Sequence, residues 1–149
     1  MKNLKTIFIL FFVLSACGYQ PLLVKKEINF KFNSIETIGN DRLSYRVIRG
    51  LNHLQDKNSK YDIKINIIDK KYISSKDTKG NPEIFNLSVS IELILSKDDV
   101  TKTEVFTESL NFNNRKNKFE LKKIEDEIKL SLIDKLTQNI LFYFQSIQE

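Results

Sequence analysis

Apolar and polar residues alternate from Ile28 to Asn33, with Ile28, Phe30 and Phe32 apolar and Asn29, Lys31 and Asn33 polar, the period of two of a half-buried strand. Gly39-Asn40-Asp41 follows as a stop and an N-cap candidate. Leu43, Val47, Leu51 and Leu54 then recur at helical spacing, with Ile48 widening the stripe. Tyr61, Ile63, Ile65 and Ile67 alternate with Asp62, Lys64 and Asn66, and this strand–helix–strand order predicts a parallel pair. The breaker-rich stretch Ser74 to Pro82 predicts a long, mobile hairpin loop. In the next strand Phe85, Leu87, Val89, Ile91, Leu93 and Leu95 face one way and Asn86, Ser88, Ser90 and Glu92 the other, so one face is buried and one is wet. After the Ser96 to Asp99 turn, Glu104 to Phe112 reads as a fourth strand, at an edge, with Glu108 interrupting the face shared by Phe106, Leu110 and Phe112. From Phe119 to Ile147 apolar residues at steps of three and four predict a long C-terminal helix. Its last turns are apolar nearly all round, which points either to deep burial or to a partner. The fold class is therefore α+β: two helices packed on a four-stranded mixed sheet, order β-α-β-β-β-α, in one domain over residues 28–149.

The N-terminus carries a different message. Lys2 and Lys5 precede an apolar run from Ile7 to Leu14, which closes on Leu14-Ser15-Ala16-Cys17. The run is too short for a bilayer span, which needs about 20 apolar residues. It resembles a bacterial lipoprotein signal, in which residues 1–16 are cleaved and Cys17 becomes a lipidated first residue. The alternative, a buried core cysteine, fits poorly beside Gly18, Gln20 and Pro21. Several acyl chains on one residue anchor a protein firmly, since each buried methylene contributes about 0.8 kcal/mol. Gly18 in place of an aspartate directly after the cysteine favours the outer membrane. Residues 17–27 form the lipidated cysteine and a tether.

Charge narrows the function classes. The chain has 24 Lys+Arg against 19 Asp+Glu, and removal of residues 1–16 takes Lys2 and Lys5, leaving 22 against 19. That excess is too thin for the dense basic stripe of a nucleic-acid binder, so no nucleic-acid partner is expected. Cys17 is the only cysteine, so no disulfide can staple the fold. His53 is the only histidine and lacks the companions of a metal site. Glu125-Asp126-Glu127 reads as a solvated helix face near the helix start. No glycine-rich phosphate cradle or nucleophile–base pair is legible, so neither cofactor nor enzymatic activity is expected.

The opening Cys17-Gly18-Tyr19-Gln20-Pro21-Leu22, the Asp41-Arg42-Leu43 helix start and the order of elements resemble the lipopolysaccharide-assembly outer-membrane lipoproteins of the LptE type. The resemblance spans nearly the whole chain, the opening by residue identity and the later strands by pattern. It implies a lipoprotein on the periplasmic side of the outer membrane that plugs a large β-barrel partner, aids its assembly and binds lipopolysaccharide. Another secretion or envelope apparatus is the alternative. No fixed motif transfers the ligand contacts, but an antiparallel meander of strands two to four nominates them. It places Lys70, Lys71, Lys76 and Lys79 on one loop and Arg115, Lys116 and Lys118 on another, both at the end of the sheet away from the lipid. Guanidinium grips phosphate bidentately, so Arg115 is the first choice. The anchor-side turn carries Asp98 and Asp99 against Lys97.

Overall fold

The structure, a computed structural model, describes residues 28–39 and 41–147. The signal segment, Cys17, the tether and the cap candidate Asn40 lie outside the described residues. The elements are β1 (Ser34–Gly39), α1 (Asp41–Leu51) ending in a 3-10 turn (Asn52–Leu54), β2 (Tyr61–Lys76), β3 (Pro82–Lys97), β4 (Val100–Asn113) and α2 (Lys118–Ser146). This is the expected α+β order. The sheet runs β1-β2-β3-β4, with β1 parallel to β2 and the other pairs antiparallel.

The strands form because their alternating Ile, Leu and Val side chains find a helix layer on one side only. Ile63, Ile65 and Ile67 of β2 and Leu87, Val89, Ile91 and Leu93 of β3 lie buried beneath Leu43, Val47 and Leu51 of α1 and Leu132, Ile133, Leu136, Ile140 and Phe144 of α2. Among the described residues the opposite face is uncovered and mostly polar, with Ile68, Tyr72 and Val105 exposed on it. Ser90 hydrogen-bonds Thr107 at 2.9 Å, Asn86 donates to Asn111 at 2.7 Å and Asn66 to Glu92 at 3.3 Å. The helices meet where Gly50 lies close against Thr137; a Cβ at position 50 would stand 2.7 Å from the threonine methyl. Beside this contact, Arg46 grips Asp134 through two hydrogen bonds of 2.5 and 2.6 Å.

Three expectations change. The first strand starts at Ser34, later than the alternation at residues 28–33 suggests. Phe30 and Phe32 are buried, yet the backbone of Phe32 bonds Leu54 and Asp56, because β2 begins only at Tyr61. The chain bends at Asn33, and the inward phase passes from even residues to Ile35 and Thr37. Asn33 and Ser34 both donate to Asp62 across that bend, which holds the Asp62 carboxyl below the usual carboxylate range. Second, the long loop contracts to residues 77–81. Polar residues 70–76 continue β2, because β3 supplies a pairing partner through to Pro82. Third, Glu125 does not lie on a solvated face. It is buried against the sheet and ion-paired to Lys71 at 2.8 Å.

The other details agree. β4 is an edge strand, and its Glu108 is accommodated by hydrogen bonds from Lys135 at 2.7 Å and Asn139 at 3.1 Å. At the end of α2, Ile140 and Phe144 are buried and Phe30 stacks on Phe144, while Phe142 stays 60% exposed. No helix of the described residues is long and apolar enough to cross a membrane.

Candidate functional site

Two sheet corners build a polar tip. In the first, Asp77 staples the β2–β3 turn: its Oδ1 accepts from the backbone N–H groups of Lys79 and Asn81, and its Oδ2 from the Asn81 side chain. Those donors, the Asn81 side chain above all, hold the Asp77 carboxyl below its ordinary range. Gly80, at φ +84°, closes the turn in the left-handed region that glycine tolerates. The second corner is the passage from β4 into α2. The Asn114 side chain donates to the Pro82 carbonyl at 2.8 Å and its backbone N–H to the Glu83 carbonyl at 2.8 Å, so the corners are tied together. Asn117 then caps α2 by accepting from the N–H groups of Phe119 and Glu120.

Around this frame stand Lys76, Lys79, Arg115, Lys116 and Lys118, all exposed or half-buried at most. Arg115, Lys116 and Lys118 line an open depression of about 740 Å³ together with Asp77, Asn81 and Glu83. Asp77 is occupied by its own turn. None of the five cations is ion-paired to a carboxylate among the described residues. They surround the N-terminus of α2, whose dipole adds to a potential that favours anions. Chemically, the tip can receive phosphate or carboxylate groups through ammonium and guanidinium donors.

The structure separates two candidates from this group. Lys70 sits in β2 opposite Ser88 on the open face, about 20 Å back from the turn. Lys71, its neighbour, points to the helix side, donates to Glu125 at 2.8 Å and lies 5.3 Å from the Phe85 ring centre. It belongs to an ionic cluster with Glu125, Lys129 and Asp69. Sequence reasoning missed that cluster and the tie made by Asn114. The run Asn113-Asn114-Arg115-Lys116-Asn117 did carry turn and cap chemistry that could have revealed the tie.

The opposite end of the sheet, where residue 28 enters, is less acidic than its Asp98-Asp99 turn suggested. Lys31, Lys60 and Lys97 line a second open depression there, with Asp56 among its walls. Basic side chains therefore occur at both ends. The tip differs in its arginine and its helix N-terminus. The two ends are about 50 Å apart, the length of the 16-residue strands β2 and β3.

No family model and no curated protein matches the chain. Solved structures do share its fold. Rare lipoprotein B from Shewanella oneidensis superposes with a TM-score of 0.57 at 12% identity, covering 78% of this chain and 100% of that one. A minor lipoprotein from Acinetobacter baumannii gives 0.60 at 15% identity, with 78% and 94% covered. Lipoprotein B from Nitrosomonas europaea gives 0.50 at 19% identity, with 76% and 83% covered. At such identities the likeness is one of fold, and the chain carries a fold found in bacterial lipoproteins.

Proposed function

We propose that this chain is a lipid-anchored, non-enzymatic subunit of the machinery that assembles lipopolysaccharide in the outer membrane. In this reading acyl chains on Cys17 hold it to the periplasmic side of the outer membrane. The α+β domain occupies the lumen of a β-barrel partner and aids its assembly, and the tip contacts the phosphorylated head group of lipopolysaccharide. Three things support the reading: the lipoprotein-like N-terminus, the fold shared with lipoproteins, and the resemblance of the Cys17 to Leu22 opening to LptE-type proteins. The observation that carries the ligand assignment is the gathering of Lys76, Lys79, Arg115, Lys116 and Lys118 at the end of the sheet away from residue 28.

Reversal of two charges, Arg115→Glu with Lys116→Glu, tests it by fluorescence titration with purified lipopolysaccharide. Charge-assisted hydrogen bonds contribute about 1.5–3 kcal/mol each, so affinity should fall by at least about tenfold. Unchanged affinity removes the tip from the binding site. Crosslinking in living cells from residues 77–81 should capture a large barrel protein, and capture of none would count against the plug.

A further inference from the structure

The end of the sheet where residue 28 enters holds its own open depression, of about 620 Å³. Its frame is the turn between the 3-10 segment and β2. The Asp56 N–H donates to the Phe32 carbonyl at 2.8 Å and the Ser59 hydroxyl to the Lys31 carbonyl at 2.7 Å, so the turn is tied to the incoming chain. Phe30, Tyr61 and Ile147 make an apolar floor, with the Phe30 and Tyr61 ring centres 5.1 Å apart. Lys31, Lys60 and Lys97 stand round it, and none of the three is ion-paired among the described residues. The Lys31 ammonium donates to the His53 carbonyl at 3.3 Å, and that of Lys97 lies 5.0 Å from the Tyr61 ring centre. Among the described residues Asp56 is the only carboxylate in the wall, and its Oδ1 already accepts from the Asn58 N–H at 2.9 Å. Asp98 and Asp99, on the turn beyond Lys97, do not line it.

We propose that this depression binds the head group of an anionic phospholipid in the leaflet that carries the Cys17 acyl chains. The site rests on the lipid-anchor part of the proposed function alone, not on the tip or the barrel contact. Two observations favour that occupant. Ten residues separate Cys17 from Ile28, so the depression lies within about 36–40 Å of the anchored leaflet even with the chain between them fully extended. The second observation is chemical. A phosphodiester accepts hydrogen bonds from the three ammonium groups, while the glycerol backbone and first methylenes of the lipid rest on the apolar floor. Tyrosine, with its aromatic body and polar end, suits the head-group level, and lysine stems lie readily along apolar surface. A free phosphate ion has nothing to place on that floor.

The placement agrees with a domain lodged in a barrel. The 16-residue strands β2 and β3 span about 50 Å, and a bilayer with its head groups measures about 40–45 Å. A tip at the outer head groups therefore leaves the opposite end level with the periplasmic ones or just past them, clear of a barrel's apolar band, which is about 25 Å tall. An acyl anchor fixes distance and not orientation. A second contact on the same leaflet sets the long axis of the domain across the membrane. Because the anchor makes this contact intramolecular, a weak site suffices. Each lysine that reaches an anionic surface raises partitioning about fivefold, so three raise it roughly a hundredfold.

The test uses the lipidated chain, purified from bacterial membranes and reconstituted in vesicles of phosphatidylcholine alone or of an equal mixture with phosphatidylglycerol. With Cys17 acylated, an introduced thiol is the only one to label. A fluorophore on Asn58→Cys, in the wall of the depression, should be quenched by spin-labelled phospholipid head groups several times more strongly in the mixed vesicles. One on Ser109→Cys, about 30 Å along β4 from its start at Val100, should be quenched little in either. Lys31→Gln, Lys60→Gln and Lys97→Gln together should abolish the excess with unchanged circular dichroism, and Lys60→Glu alone should lower it more than Lys60→Gln alone. Flotation with the vesicles reads the anchor separately. A chain that floats but is quenched equally in both vesicles, or whose excess survives the triple substitution, would overturn the site and leave the anchor standing. So would an excess removed by inorganic phosphate but not by chloride at equal ionic strength, which would assign a free-anion site. A chain that does not float would overturn the anchor, and the site with it.

Discussion

Replacing Lys129 with methionine probes the least expected feature of the core. The Lys129 ammonium is ion-paired with Asp69 and stands 3.9 Å from Glu125, whose other oxygen accepts from Lys71 at 2.8 Å. These side chains are enclosed between α2 and β2, with 15% of Lys129, 11% of Glu125 and 25% of Asp69 left exposed. Methionine fills nearly the same volume, so the change removes charge without opening a cavity. Breaking a buried pair by deleting one partner costs about 3–5 kcal/mol. Residual exposure and the remaining hold of Lys71 on Glu125 reduce this to about 2–3 kcal/mol, more than tenfold in the unfolding constant. Urea denaturation of the full chain, compared at equal slopes, measures it. Adding Glu125→Gln removes one of the stranded carboxylates, so the double variant should lose less than the sum of the singles by about 1 kcal/mol. A Lys129→Met chain within about 0.5 kcal/mol of the parent, or strict additivity with Glu125→Gln, would refute the reasoning.

Further predictions concern single positions and pH. Gly39→Ala puts a Cβ 2.5 Å from the Ile67 carbonyl oxygen at a residue with φ +113°, so it should cost at least about 2 kcal/mol in urea unfolding; a neutral result would show that β1 ends differently. Asn117→Ala removes the α2 cap and should cost about 1 kcal/mol, read as a thermal midpoint lowered by a few degrees; no shift would deny the cap an energetic role. Hydrogen bonds from Lys135, Lys122 and Arg46 hold the carboxyls of Glu108, Asp126 and Asp134 below their ordinary values. The unfolded chain therefore takes up protons first. The stability these groups add is full above the unfolded carboxylate range of about pH 4 and is lost as pH falls through the depressed folded values. A urea midpoint that stays flat from neutral pH to below that range would contradict this.

Much of the tip is legible in the amino-acid pattern, because a meander of known strand order dictates which turns share an end. Arg115, Lys116, Lys118, Lys76 and Lys79 meet there as topology requires. Lys70 and Lys71 fall elsewhere for a physical reason. A polar stretch such as Lys70 to Lys76 has weak strand character alone, but it is held extended once β3 offers a full row of backbone partners.

The sequence by itself determined the type and order of the elements, since periods of two and 3.6 are local properties: six elements, one covered sheet face, an edge at the fourth strand and a basic corner, with the bounds of the first two strands left to the packing. Only the tertiary structure decided which charges are spent. The angular position of α2 over the sheet, set by the burial of Leu121, Leu132, Leu136 and Ile140, brings Glu125 and Lys129 against Lys71 and Asp69 across more than 50 positions of chain. The bend at Asn33, which passes the inward phase from Phe32 to Ile35, likewise depends on where β2 begins and on Asp62 receiving two donors there. Both are long-range register effects. A one-dimensional pattern carries no register between distant segments, because register is fixed only when two faces are pressed together.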